Sequence, residues 1–338
     1  MRKYLFSAVL LGMAAASLAQ TPGFGVVDKW ILGGDGGWDY LNVDGASHRL
    51  YVSRSTHVMV VDTDKGEVVG DIPNTSGVHG IALDVADGKG YTSNGKTNSV
   101  TVFDLKSLKT LKQIAVGTGP DCIIFDDGTK RIFTFNGRAN SATAIDPSSD
   151  NVIGTVKLSG RPEYAAADGE GHVFVNIADT NNVEEIDSNT LKSVATWPLA
   201  PGEDPSGLAI DRDGHRLFST CGNGFLVTLD TLSGKVVGTP TIGQGPDAGA
   251  YDRILEKAFS SNGGDGTLSI VDRGGTVTML QTQPGARTMA LDADTHRIYL
   301  ATADLNDPVP GQRRRTAKPG SFTIIVVGFS GSGPTAAR

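Results

Sequence analysis

Along most of the chain, apolar residues alternate with polar ones in short runs that end at Gly, Asn, Asp or Pro. A period of two over such brief stretches predicts many short strands joined by tight turns, and it excludes a helical bundle. The runs recur at an interval of 40 to 43 residues. Successive units begin at Asp39, His79, Asp121, Glu163, Ser206, Asp247 and Arg287. Each opens with a largely apolar stretch that ends in Asp: Asp44, Asp84, Asp126, Asp168, Asp211, Asp252 and Asp292. A turn, an aromatic-led strand, a polar loop, a third strand and a fourth strand follow, as in residues 90–93, 99–104 and 110–116. Four short strands at this period predict a propeller blade, so seven units predict an all-β, seven-bladed β-propeller. The seventh unit lacks a fourth strand, while residues 26–32 resemble one. Pairing that N-terminal strand into the last blade closes the ring and removes an exposed edge. Residues 20–338 are therefore expected to form one domain.

Composition agrees with a turn-rich β protein: 44 of 338 residues are Gly, nearly twice the usual share of about 7%. The first residues, Met1-Arg2-Lys3, lead into an apolar run over 4–16 and then Ser17-Leu18-Ala19. A short basic start, an apolar run too brief to span a bilayer and small residues before a cut predict a signal peptide over 1–19. The mature chain is then periplasmic or secreted, with no later segment suited to crossing a membrane. Loss of Arg2 and Lys3 takes the formal charge from −7 to −9, which disfavours nucleic acid as a partner. Cys122 and Cys221 fall in different repeats, where buried free thiols are expected over a bridge.

The run Tyr91-Thr92-Ser93-Asn94, followed by residues 98–104, is a close variant of a Tyr-Val-Thr-Asn repeat. Pro319-Gly320-Ser321-Phe322 before residues 323–328 matches the ending of the same pattern. Over essentially the whole mature chain, the sequence resembles the YncE-like, or YVTN-repeat, family of bacterial β-propellers. The resemblance implies an exported seven-bladed propeller. It implies no single activity, because the family and its structural relatives include a single-stranded DNA binder, surface-layer proteins, electron-transfer subunits and a lactone-opening lyase.

In a propeller, the residues opening each first strand ring one mouth of the central channel. Here they are Asp39, His79, Asp121, Glu163, Ser206, Asp247 and Arg287. Converging carboxylates favour bound protons or a bound cation. Asp39, His57, His79 and Asp121 form a conceivable divalent-cation site, and Arg287 could hold a carboxylate or phosphate. The competing reading is structural: Asp caps turns, and Arg287 neutralises its neighbours. Arg54, Asn94, Asn136, Cys221, Asn262 and Thr302 share a register on the same face, where Asn suits loop bonding. One connection breaks the repeat: residues 303–320 carry the basic run Arg313, Arg314 and Arg315. Such a long loop is expected to hang over the ring. There it could dock onto the ring acids, grip an anionic partner such as a polysaccharide or nucleic-acid strand, or stay solvated as charge runs usually do. Trp38, beside the ring, suits stacking on a sugar or a base and equally suits plugging the channel mouth. No nucleophile-elbow or haem-attachment motif is present, and no phosphate-binding Gly-rich turn leads from a strand into a helix.

These features point first to a monomeric binding or scaffold propeller, with a small-molecule, glycan or protein partner at the channel mouth. The alternative is a lyase or lactone hydrolase in which a cation polarises a carbonyl and His79, Asp121 and Glu163 do the acid–base work. A third option is single-stranded nucleic-acid binding through the Arg-rich loop.

Overall fold

The computed structural model describes residues 23–34, 36–308 and 315–330. The leader over 1–19, Arg313 and Arg314 lie outside the described residues. Seven four-stranded antiparallel sheets form the blades of a β-propeller. The inner strands of neighbouring blades touch in a closed circle around the axis. Among the described residues no helix is long and apolar enough to cross a membrane.

The last blade closes as the repeat pattern predicts. Its inner strands are Thr288–Asp292, Arg297–Thr302 and Thr323–Ser330, and Gly23–Ile31 pairs antiparallel outside them. Alternation explains what holds blades together. Side chains on one face of each sheet meet the opposing face of the next, as where Tyr91, Val100 and Val102 of blade 2 pack with Ile123, Ile132 and Ile145 of blade 3. Full burial of such a side chain stabilises by about 1.5–3 kcal/mol. At the closing seam, Trp30, Tyr299, Ile324 and Val326 of blade 7 pack against Leu41, Leu50, Val52 and Val61 of blade 1.

Two devices fit the outer strands together. Trp30 lies over Gly66 in the outer hairpin of blade 1, where any Cβ would sit 2.4 Å from the indole. Gly66 also has φ +67°, so glycine is required there twice over. Trp197 covers Gly234 of blade 5 in the same way. The cysteines are free and buried. They sit in separate clusters, Cys122 between blades 3 and 4 and Cys221 in blade 5.

Candidate functional site

The ring residues reach the axis because of a repeated backbone irregularity. In blades 2 to 6 the pairing of inner and second strands slips by a bulge near the ring residue, for example between Val78 and Ile81 or Pro120 and Ile123. Bulges re-aim side chains, and here they fall beside His79, Asp121, Glu163, Ser206 and Asp247. The adjacent backbone is then clasped by the neighbouring blade. Thr288 Oγ1 donates to the Asp39 carbonyl at 2.8 Å, Asn176 Nδ2 to that of Ser206 at 3.0 Å, and Ser261 Oγ to that of Arg287 at 2.5 Å. Ser206 Oγ in turn lies 3.2 Å from the Pro246 carbonyl, so this hydroxyl is used at a seam.

Side chains from blades 6, 7, 1, 2 and 3 form a continuous chain of opposite charges. Arg287 pairs with Asp247, lies 3.2 Å from Asp39, and donates to the Trp38 carbonyl at 3.0 Å. His79 Nδ1 is 2.6 Å from Asp39 and 3.6 Å from Asp121. Burial would raise Asp39, but the bond to His79 and the Arg287 charge hold it below the usual carboxylate range. Burial opposes charge on His79, yet its bond to Asp39 and the field of Asp121 raise it above an ordinary histidine. Asp121, with less compensation, is pushed up by burial to about 6. Glu163 rises further, to about 8, because burial and the charge of Asp121 outweigh its pairing with Arg161.

Ligand atoms of Asp39, His79 and Asp121 lie within 4.8 Å of one another. The structure does not bring His57 into this group. Its Nε2 sits 3.7 Å from Asp71, and Thr56 Oγ1 contacts its Nδ1 at 3.2 Å. Three protein ligands could accept a cation, but Arg287 opposes it. Two like unit charges about 5 Å apart repel by roughly 3 kcal/mol at an effective dielectric near 20, and a divalent ion doubles this. A proton on His79 fits the same three side chains at lower cost.

Immediately below the ring, the channel is plugged. Tyr40 and Tyr164, each following a ring residue, pack at 4.8 Å between ring centroids. The corresponding positions in the other blades are Gly80, Cys122, Gly207, Ala248 and Thr288, which leave the space. Burial and the four ring carboxylates raise the Tyr40 pKa, so its hydroxyl stays protonated. Beyond Tyr164 a separate cavity of about 500 Å³ opens toward the opposite face, past Asp127 and Arg212. The plug was readable in principle: aligning the residue after each ring position exposes two tyrosines among small residues.

Above the ring, the long connection of blade 7 folds back on itself through a bridge between Leu305 and Ala317. Arg315 Nε donates to the Asn306 carbonyl at 2.6 Å and its Nη2 to that of Leu305 at 3.3 Å. This excursion roofs a cleft of about 1530 Å³. Trp38, Glu163, Ser206, Asp247 and Arg287 line the floor, while Arg315 and Lys318 line the roof. Asp39, His79 and Asp121 stand beside it and do not line it. Sequence reasoning missed Arg161 and Asp204, which reach the cleft from loops and approach each other to 3.7 Å.

The remaining register positions are structural. Asn94, Asn136 and Asn262 are fully buried and donate to hydroxyl pairs on their third strands, such as Thr101 at 2.9 Å and Thr143 at 3.0 Å. Arg54 is buried too, with its guanidinium among the carbonyls of Gly33, Gly34, Gly36 and Gly37 and 3.7 Å above the Phe322 ring. It thereby orders the segment leading to Trp38.

No protein-family model matches the chain, and no curated protein sequence does. Solved structures do match. A chain of Kuenenia stuttgartiensis hydrazine synthase is similar with a TM-score of 0.70 and 17% identity, over 79% of this chain and 92% of that one. U3-55K is similar with a TM-score of 0.75 and 10% identity, over 90% and 99% of the two chains. At these identities the likeness is one of architecture, and by fold the chain is a seven-bladed β-propeller.

Proposed function

We propose that this protein is an exported binding propeller of the YncE-like kind, holding a polar ligand in the roofed cleft at its channel mouth. The observation that carries the reading is the blade-seven excursion, which turns an open mouth into a cleft of about 1530 Å³. Repeat architecture alone needs no such segment, since the equivalent connection in blade 2 runs only from Asn94 to Ser99. The basic and apolar start of the sequence supports export.

The test uses protein recovered from the exported fraction, with its N terminus expected at Gln20. Wild type and a variant carrying the blade-2 connection in place of residues 304–318 are melted with amino acids, short peptides and oligosaccharides. A ligand at 100 times its Kd stabilises by about 2.7 kcal/mol. At least one compound is expected to raise the wild-type Tm but not that of the variant, with both melting alike when free. No shift in wild type, or equal shifts in both, would overturn the reading.

A second reading has one observation in its favour, the grouping of Asp39, His79 and Asp121. In it the Asp39 and Asp121 carboxylates would hold a divalent cation to polarise a ligand carbonyl, and His79 would move a proton in a lyase or lactone-opening reaction. Protein purified without chelator would then carry near-stoichiometric metal that is lost in Asp121→Asn, and His79→Ala would abolish turnover without changing the Tm. Metal-free protein that also ignores added Mn²⁺, Zn²⁺ or Ca²⁺ removes this option.

A further inference from the structure

Beneath the blade-seven excursion, the lining of the cleft runs against the charge of the whole chain, which is −7. Arg161 and Arg287 face it from the floor and Arg315 and Lys318 from the roof. The opposing carboxyls are Glu163, Asp204 and Asp247. Asp247 is engaged by Arg287, and Glu163, pushed up to about 8, carries little negative charge near neutrality. Arg315 meets carbonyl dipoles of its own loop, and among the described residues no carboxylate pairs with it or with Lys318. Among the described residues the cleft therefore presents two cations with no carboxylate paired to them, and Arg161 stands half exposed at its edge.

Size and walls narrow the ligand further. At about 1530 Å³ the space exceeds the roughly 300–1,000 Å³ of ordinary small-molecule sites. Gly222, Gly245, Gly263, Gly264 and Gly285 put backbone, with no side chains, against whatever enters. The protonated Glu163 adds a further polar contact. Hydroxyl-rich units suit such walls, since each hydroxyl both donates and accepts. Nucleic acid suits them less. Base stacking needs an open aromatic face, whereas Phe322 is 3% exposed and lies beneath Arg54, and Trp38 packs on Phe322 at 5.8 Å. Dense phosphate charge would also meet a net-acidic molecule.

We propose that the cleft binds an acidic oligosaccharide of uronic-acid units, with carboxylates on Arg315, Lys318 and Arg161 and hydroxyls against the glycine walls. This rests on the cleft being the binding site, and the following experiment separates the two claims. Titration calorimetry of the mature protein compares tetramannuronate with mannotetraose, which has the same linkage without the carboxylates. An oligodeoxythymidylate and an oligoglutamate serve as other polyanions. Tetramannuronate is expected to bind at 50 mM NaCl, to weaken at 300 mM, and to bind at least tenfold tighter than mannotetraose. Lys318→Gln and the double variant R315Q/K318Q are expected to lose at least tenfold in affinity with unchanged Tm. Lys318→Gln leaves the loop bonds of Arg315 intact, so a loss there reports charge and not loop order. Four results would overturn the proposal: no binding of tetramannuronate, equal binding of mannotetraose, unaltered affinity in both variants, or preference for either other polyanion. If another compound still shifts the wild type in the loop-dependent way described above, the cleft remains the binding site and only the ligand class falls.

Discussion

Glu163 shows how one buried carboxyl makes the whole ring respond to pH. Its side chain is 17% exposed, and burial leads the causes that push its pKa up to about 8 from an ordinary 4.5. A pKa raised on folding means that the native state binds the proton more tightly than the unfolded chain. The stabilisation is therefore complete below about pH 4.5 and is lost as pH rises through about 8. Glu163→Gln keeps the shape and removes the titration. Thermal melts from pH 4 to 9 are expected to show the variant matching wild type at the acid end and melting several degrees higher at pH 9. Parallel curves over the whole range would mean that Glu163 ionises in the native state much as it does in water. At this scale the sequence was partly legible. The ring positions followed from repeat register, but which carboxyl remains neutral did not. That depends on how deeply the folded ring buries each carboxyl and on how close Asp121 comes to Glu163, neither of which periodicity encodes.

Between residue and molecule stands the outer strand, and blade 7 shows what its contacts are for. Trp30 is 8% exposed, donates Nε1–H to Asp28 at 2.8 Å, and stacks at 5.6 Å on Tyr299 while filling the space above Gly66. Removing a buried Trp side chain costs about 3–5 kcal/mol. Trp30→Ala should lower stability by that order and also speed amide exchange in Gly23–Ile31 and Thr323–Ser330. Trp197→Ala, the equivalent change in blade 4, should lower stability without loosening those two strands. Identical exchange patterns for both would show that the closing strand has no independent dependence on its Trp. Legibility at this scale had a clear physical limit. Alternation within a strand is local and repeats seven times, so it averages into a strong signal. The blade-seven excursion occurs once, and among its described residues its fold rests on the bridge between Leu305 and Ala317 and on carbonyls that only the folded loop presents.

For the molecule as a whole, sevenfold repetition explains why the architecture is plain in the sequence, while the channel plug shows only where two tyrosines depart from the repeat. Each unit cannot bury its apolar faces alone, so the repeat itself demands a closed array. The plug of Tyr40 and Tyr164 divides that array into a charged mouth and a separate cavity on the far face, so a ligand in the cleft has no open route through the axis. Closure has a further result. Gly23 and Ser330 are paired partners at the same end of the last blade. Pulling on the two ends of the folded chain would thus load one hydrogen-bonded rung at a time, opening the blade like a zip. Sideways shear against all rungs at once would meet far more resistance. The ring gains its closed edge from this seam, and the same seam makes it weakest toward a force that draws its own termini apart.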